Sequence, residues 1–379
     1  MADTSFIDVT SFSDVIILAG GFGERLWPAS SPSFPKQFLS IQNGISFLQA
    51  SLNRALAVNP SGKIIIITRD DIKNVVAEHC EKLASQVSET YRQKMQDDLY
   101  ILAEPCARHT CAPLVLACKI LNLFDSSEHT MLVLTSDQVI EPAENFVSDC
   151  KKAATEAKKG NFVCFAIPPT EPSTGYGYIK HGESISKDET IFKIAQFKEK
   201  PDFKTAQEYL SSGMYSWNSG MFAFTDTFFM EEICRYESSI AESFKNLDGA
   251  SQPDFSLING IKCISNWLPM AESYKTVKPI AVDNAIAERT QKAVAVKASF
   301  SWDDVGSWDA FAKYYKGKDD RTVNIESSGN FCYSDIPVAL CGVKDLIIVI
   351  KDGKALVMKK GTSNSMRNVV NEMKNKGLV

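Results

Sequence analysis

The stretch DVIILAGGFGERLWPASSPSFPKQFL, Asp14–Leu39, begins as a continuous apolar, β-branched run and breaks into glycines at Gly20, Gly21 and Gly23. A strand that is apolar at every position has no solvent face. Asp14–Ala19 therefore predicts a strand buried on both sides of a sheet. Glycines directly after it let backbone N–H groups come close to anionic oxygens. In an open α/β sheet such a turn lies at the carboxyl edge of the strands, where ligands bind. Two phosphate-binding fingerprints are missing. Gly21-Phe22-Gly23-Glu24-Arg25 runs into Leu26, so G-x-G-x-x-G lacks its third glycine, and no G-x-x-x-x-G-K-[ST] occurs. What remains is a different phosphate loop, with Arg25 and Lys36 as its cations, or a plain glycine-rich turn.

The rhythm outward from this stretch is that of an α/β fold. Helical spacing covers Phe47–Val58, Asp70–Gln86, Ala112–Phe124 and Phe146–Lys159. Buried strands fall between them at Lys63–Thr68, Leu99–Glu104, Met131–Ser136 and Asn161–Ile167. This alternation predicts a doubly wound, mostly parallel sheet. After Pro168 the pattern becomes α+β. TGYGYIK and IFKIAQFKEKP read as hairpin strands, Phe203–Ser212 and Thr227–Phe244 as helices, and Met221–Phe224 and Lys292–Ala298 as strands around the segment Pro279–Thr290. From about Asp320 short strands follow one another, closed by a helix at Ser365–Lys376. We divide the chain into a catalytic domain, 1–315, and a β-rich module, 316–379.

Composition narrows the function. The 379 residues carry a net charge of -5, which argues against a nucleic-acid binder with its basic face. No apolar run approaches the ~20 residues that span a membrane. MADTSFIDVTSFSDV has no leader pattern, so a cytoplasmic location is expected. The ten cysteines show no C-x-x-C and no zinc spacing, and read as reduced core thiols.

Gly20-Gly21-Phe22-Gly23-Glu24-Arg25-Leu26-Trp27-Pro28 with Pro35-Lys36-Gln37-Phe38-Leu39 closely resembles the signature of the sugar-phosphate nucleotidylyltransferases. The Trp-Pro and Pro-Lys-Gln-Phe-Leu variants resemble the mannose-1-phosphate guanylyltransferase branch. Further blocks follow in family order. Glu104-Pro105 with Arg108-His109-Thr110 is similar to E-P-x-x-R-N-T-A-P, with His109 in place of Asn, and Leu134–Gln138 is similar to L-P-A-D-H, with Gln138 in place of His. Thr174–Ile179, Phe197–Pro201, Trp217–Phe222, Asp283–Glu288 and Asp304–Trp308 complete the set. The tail is similar to the family's C-terminal, left-handed β-helix-like module.

The resemblance implies transfer of GMP from GTP to α-D-mannose 1-phosphate, giving GDP-mannose and pyrophosphate. Both substrates are multiply anionic, so the chemistry needs charge neutralisation and in-line positioning. By resemblance the nucleotide meets Ala19, Gly20, Gly21, Gly23, Arg25, Lys36, Glu104, Arg108, Ser136 and Asp137. Arg25 and Lys36 would hold the leaving pyrophosphate, and Glu104 with the Pro105–Thr110 loop would read the base. Asp137 and Asp304 would together hold Mg²⁺, with phosphate oxygens and water completing its shell. Asp137 also reads as a helix N-cap, and Asp303 is the rival to Asp304. Lys200 would take the phosphate of the sugar phosphate, or be an ordinary surface lysine. The sugar hydroxyls would meet Gly175, Tyr176, Gly177, Glu199, Asn218 and Asp283. Tyr176 is equally a packing residue, and Trp217 either stacks on the sugar or lies in the core. Asp283 and Glu288, five apart, do not share a face of an α-helix.

Two alternatives stand beside this reading. One is another sugar phosphate, for example a manno-heptose phosphate. The other is a non-catalytic regulatory relative, against which the presence of Arg25, Lys36, Asp137, Lys200 and Asp304 argues. The short tail and the four histidines, His79, His109, His129 and His181, predict no added isomerase domain. Open strand edges in the tail predict a homodimer.

Overall fold

A computed structural model describes residues 12–21, 23–42, 44–317 and 321–378. Phe22 of the glycine stretch, residues 1–11 of the N-terminal segment and Asp320 lie outside the described residues. The chain forms two compact units. The larger takes the chain up to Gly20, then Ser51–Thr135 and Ile140–Trp302; the smaller takes Gly21–Ala50, Ser136–Val139 and Asp303–Val379.

The larger unit is built on a sheet of eleven strands among the described residues. In chain order these are β1 (Asp14–Leu18), β2 (Ile64–Arg69), β3 (Leu99–Glu104), β4 (Thr130–Thr135), β5 (Phe162–Ile167), β6 (Tyr178–Ser184), β7 (Ile191–Lys198), β8 (Tyr215–Thr225), β9 (Ser256–Ile258), β10 (Ile261–Ile264) and β11 (Ala293–Lys297). Their order across the sheet is β9-β10-β3-β2-β1-β4-β8-β5-β11-β7-β6, and β6 also pairs with β8. The strands β10, β3, β2, β1 and β4 run parallel. Of these, β1 to β4 are the apolar runs read from the sequence, and they are buried almost throughout. Beyond them β8 lies antiparallel to both β4 and β5, so the sheet becomes mixed. The helix Cys111–Phe124 is buried at almost every position and forms part of the core, which explains why it shows no polar face.

Several expectations shift. Met221–Phe224 is the second half of the eleven-residue β8, whose pairing with β5 is irregular between Asn218 and Phe222. Thr227–Phe244 divides into helices Asp226–Tyr236 and Ser238–Ser243 at Glu237, where φ is -140°. Asp283–Ala287 is a π-helical turn, closed by a bond from the Glu288 N–H to the Asp283 carbonyl. The α-helical pitch used to part these two acids does not apply there.

The smaller unit has its own core of Leu26, Trp27, Phe47, Trp308, Phe311, Ile347 and Val349. Trp308 Nε1 donates to the Trp27 carbonyl at 2.9 Å. In the tail the chain pairs in parallel with itself sixteen positions on at three places: Thr322 with Val338, Ser328 with Lys344 and Phe331 with Ile347. That is the winding of a β-helix, and Lys354–Lys359 closes it as an antiparallel strand on Leu346–Lys351.

Candidate active site

Because β1, β2 and β3 are parallel, their ends bring Ala19-Gly20, Arg69 and Glu104 to one edge of the sheet, while Ser136, which follows β4, belongs to the smaller unit. Thr68 Oγ1 donates to the Ala19 carbonyl at 3.0 Å, and Arg69 Nη1 to the Gly20 carbonyl at 3.4 Å. Asp71 fixes the Arg69 fork through bonds of 2.9 and 3.0 Å. Glu104 faces this turn, with Oε2 3.5 Å from where a Cβ on Gly20 would stand. Its other oxygen accepts the Tyr274 hydroxyl at 2.6 Å. Burial pushes the Glu104 carboxyl up to about 7, although the Tyr274 bond works in the opposite direction. Arg108 does not reach out: its guanidinium donates to the Tyr274 carbonyl at 2.9 and 3.3 Å. His109 has φ of 58°, a left-handed conformation that Asn and His both adopt more readily than most residues. That accounts for the exchange at this position.

A second group in the larger unit gathers the expected sugar residues. Asn218 Nδ2 donates to Asp283 Oδ1 at 2.9 Å, and the Asn218 N–H donates to the Gly177 carbonyl at 2.8 Å. A Cβ on Gly177 would fall 2.5 Å from Glu199 Oε2, so glycine is what lets the Glu199 carboxylate sit there. Burial, then the charge of Glu199, raises the Asp283 carboxyl to about 6. Lys200 pairs with Glu199, takes φ of 43°, and leaves its side chain mostly exposed. Tyr176 stands edge-on between Trp217 and Trp302, with ring centres 5.0 and 5.1 Å away. Trp217 is buried, so of its two readings the structure gives packing. Gly175 caps back on Ser173 Oγ at 3.2 Å, and Glu288 is exposed.

The smaller unit holds the remaining candidates. Lys36 is buried, and its ammonium donates to Asp137 Oδ2 at 3.0 Å and to the Asp304 carbonyl. It also lies over the Phe47 ring, 5.0 Å from the centroid. Arg25 Nη2 stands 3.6 Å from Asp304 Oδ2. Gly23, with φ of 58°, has no room for a side chain: a Cβ would meet the Lys36 N at 2.7 Å. Asp137 is not a helix cap, since the strand Val139–Glu141 follows it. Among the described residues no group of three or more His, Cys, Asp or Glu gathers to hold a metal. Lys36 joins the Asp137 carboxylate to the Asp304 backbone carbonyl, and the carboxylates of Asp137 and Asp304 are hard oxygen donors within the same unit. This suits Mg²⁺, which takes one or two carboxylates and fills its shell with phosphates and water.

Sequence reasoning missed Tyr274 and Arg69. Tyr274 lies in a short helix, Leu268–Thr276, of mixed composition, where a tyrosine looks like any packing residue. Arg69 ends an apolar run and looks like its solvent-facing terminus.

The nucleotidyl transferase family matches residues 14–320, and a MannoseP isomerase/GMP-like beta-helix domain matches 320–373. A mannose-1-phosphate guanylyltransferase of Salmonella muenchen is 33% identical over 95% of this chain and 73% of its own length. One from Escherichia coli K12 is 32% identical over 96% of this chain and 73% of its own. A crystal structure described as a mannose-1-phosphate geranyltransferase from Thermus thermophilus superposes with a TM-score of 0.78 at 28% identity, covering 96% of this chain and 99% of that one.

Proposed function

The chain belongs to the nucleotidyl transferase family, among the mannose-1-phosphate guanylyltransferases, and from that premise we propose that it joins GTP and α-D-mannose 1-phosphate into GDP-mannose and pyrophosphate. The observation that carries the reading is the buried Lys36 ammonium held between Asp137 and Asp304, with Arg25 beside Asp304. A buried cation beside an acid and a second cation suits chemistry on a triphosphate, where developing negative charge needs preset positive charge.

The roles follow from the chemistry of each group. Ala19, Gly20, Gly21 and Gly23 offer backbone N–H groups to the nucleotide. Arg25 and Lys36 hold the pyrophosphate as its charge grows, Arg by its fork and Lys as a point charge. Lys200 takes the phosphate of the sugar phosphate. Glu199, Asn218 and Asp283 bind sugar hydroxyls, and Glu104 accepts from the guanine edge. Bound to Asp137 and Asp304, Mg²⁺ would polarise the α-phosphate and neutralise charge on the triphosphate.

A panel of nucleoside triphosphates and sugar 1-phosphates, assayed for pyrophosphate release with Mg²⁺, tests the reading. GTP with mannose 1-phosphate is expected to be the fastest pair, and a faster different pair would reassign the substrate. No helix among the described residues is long and apolar enough to cross a membrane. We place the reaction in the cytoplasm, in keeping with ten cysteines that all remain free thiols. The exposed tail strands would carry a homodimer, seen as a doubled mass in light scattering.

A further inference from the structure

Glu104 has two oxygens in different circumstances. Oε2 faces the glycine turn after β1, and Oε1 is taken by the Tyr274 hydroxyl at 2.6 Å. Both residues are buried. The tyrosine is itself held. Arg108 binds its backbone carbonyl through two nitrogens, and its ring packs edge-on against Phe244, with centroids 5.9 Å apart. Just beyond its helix, Thr110 Oγ1 accepts the Val282 N–H at 2.8 Å and the Cys111 N–H binds the Ile280 carbonyl at 3.1 Å. The helix of Tyr274 and the loop after Glu104 are thus tied together at several points.

An unrestrained carboxylate rotates and presents either oxygen. Once one oxygen is bound by a fixed donor, the rotation stops and a single acceptor remains aimed at the turn. We propose that Tyr274 is a specificity-determining positioning residue, which occupies Glu104 Oε1 so that Oε2 alone meets the N–H donors of a guanine edge. This inference rests on the reading that Glu104 contacts the base. It gives Arg108 a task as well: its fork holds the backbone that carries the tyrosine. Adenine presents an acceptor where guanine presents its ring N–H, so a fixed acceptor oxygen also repels the wrong purine.

The phenol donates to Glu104, so its bond favours the ionised carboxylate, while burial raises that carboxyl to about 7. The other titratable groups around the pair are Arg69 beside Gly20, and Arg108 and Cys106 beside the phenol.

The variant Tyr274→Phe keeps the ring and removes only the hydroxyl, and Glu104→Gln removes the charge. For both, kcat and KM are measured with GTP, ITP and ATP, and kcat/KM for GTP is followed from pH 6 to 9. In Tyr274→Phe, KM for GTP is expected to rise about three- to tenfold with kcat little changed. The preference for GTP over ATP should fall, and the rising limb of the pH profile should move to higher pH. Three results overturn the proposal. If Tyr274→Phe behaves as wild type while Glu104→Gln loses base preference, Glu104 reads the base without Tyr274. If Tyr274→Phe weakens all three nucleotides equally with an unmoved pH profile, the tyrosine is only structural. If Glu104→Gln also keeps base preference, the reading of Glu104 itself fails, and the proposal fails with it.

Discussion

Two adjacent acids, Asp303 and Asp304, show how far a single residue can be read. The Val-Gly-Ser-Trp that follows favours Asp304 as the metal ligand, and the structure gives the two side chains different occupations. Asp303 Oδ1 accepts the Val305 N–H at 2.7 Å and so stabilises a valine held at φ of 43°, a costly conformation for a β-branched residue. Asp304 turns Oδ1 to the Gly306 N–H at 3.1 Å and Oδ2 towards Arg25. Gly306 has no room for a Cβ, which would come within 2.8 Å of both Arg25 Nη1 and Asp304 Oδ2. Both acids brace the loop, and Asp304 differs in that its second oxygen faces Arg25. Asp304→Asn is expected to lower Mg²⁺-dependent pyrophosphate release by about a hundredfold or more, because it removes a charged hard ligand. Asp303→Asn keeps an acceptor for Val305 and should stay within about threefold of wild type. Equal losses in the two variants would mean that the acids are misassigned. Arg25, Lys36, Asp137 and Asp304, which the smaller unit brings together, each stand in an ordered string of motif residues. Tyr274 was not legible, because its role depends on a contact 170 positions away in the chain.

At the scale of elements, β1 is legible because it is apolar throughout, yet it opens on a buried acid. Asp14 Oδ2 binds His129 Nδ1 at 2.7 Å, and Oδ1 accepts the Lys63 N–H at 2.7 Å. These bonds hold the starts of three neighbouring strands, β1, β2 and β4, together. Burial alone would lower the His129 pKa, but the bond with Asp14 and that with the Asp125 carbonyl raise it to about 9. Its folded value lies above its unfolded one. The stabilisation is therefore complete below about pH 6.5 and is lost as pH rises through about 9. In urea unfolding at pH 6.5, Asp14→Asn should be less stable than wild type by about 2 kcal/mol. The gap should narrow by pH 9.5, and a gap that stays constant with pH would show that His129 is not the titrating group. The elements that escaped the sequence did so for different physical reasons. The helix Glu89–Asp98 buries only Met95, so it has no apolar stripe to read. The break at Glu237 is set by partners elsewhere in the chain, Arg289 and Lys278, which draw its carboxylate inward. The β-helix period was hidden because paired coils share a backbone path but not a side-chain pattern: TVNI lies beside VALC, and FCYS beside IIVI.

At the scale of the molecule, the cut at 315/316 follows composition, whereas the compact units follow contacts. The smaller unit is assembled from Gly21–Ala50, Ser136–Val139 and Asp303–Val379, so the tail and the segment carrying Arg25 and Lys36 share one core. Ile347, Val349, Leu356, Met366 and Val370 of the tail pack in the same cluster as Leu26, Trp27, Trp308 and Phe311. Each such side chain, when fully buried, contributes roughly 1.5–3 kcal/mol. Removing the tail forfeits that sum and exposes Trp308 and Phe311 to water. The loop of Asp304 ends directly before Trp308, and Lys36 rests on Phe47 of the same core, so neither would stay in place. A chain ended at residue 317 is therefore expected to keep the helix and strand signal of the larger unit in far-ultraviolet circular dichroism, but to lose at least about a hundredfold in pyrophosphate release. Full activity in the shortened chain would show that residues 1–315 form a self-sufficient catalytic domain. A total loss of secondary structure would show that the larger unit cannot fold without the smaller. Loss of activity with most of the secondary structure kept is the outcome that a core shared between Leu26, Trp308 and the tail requires.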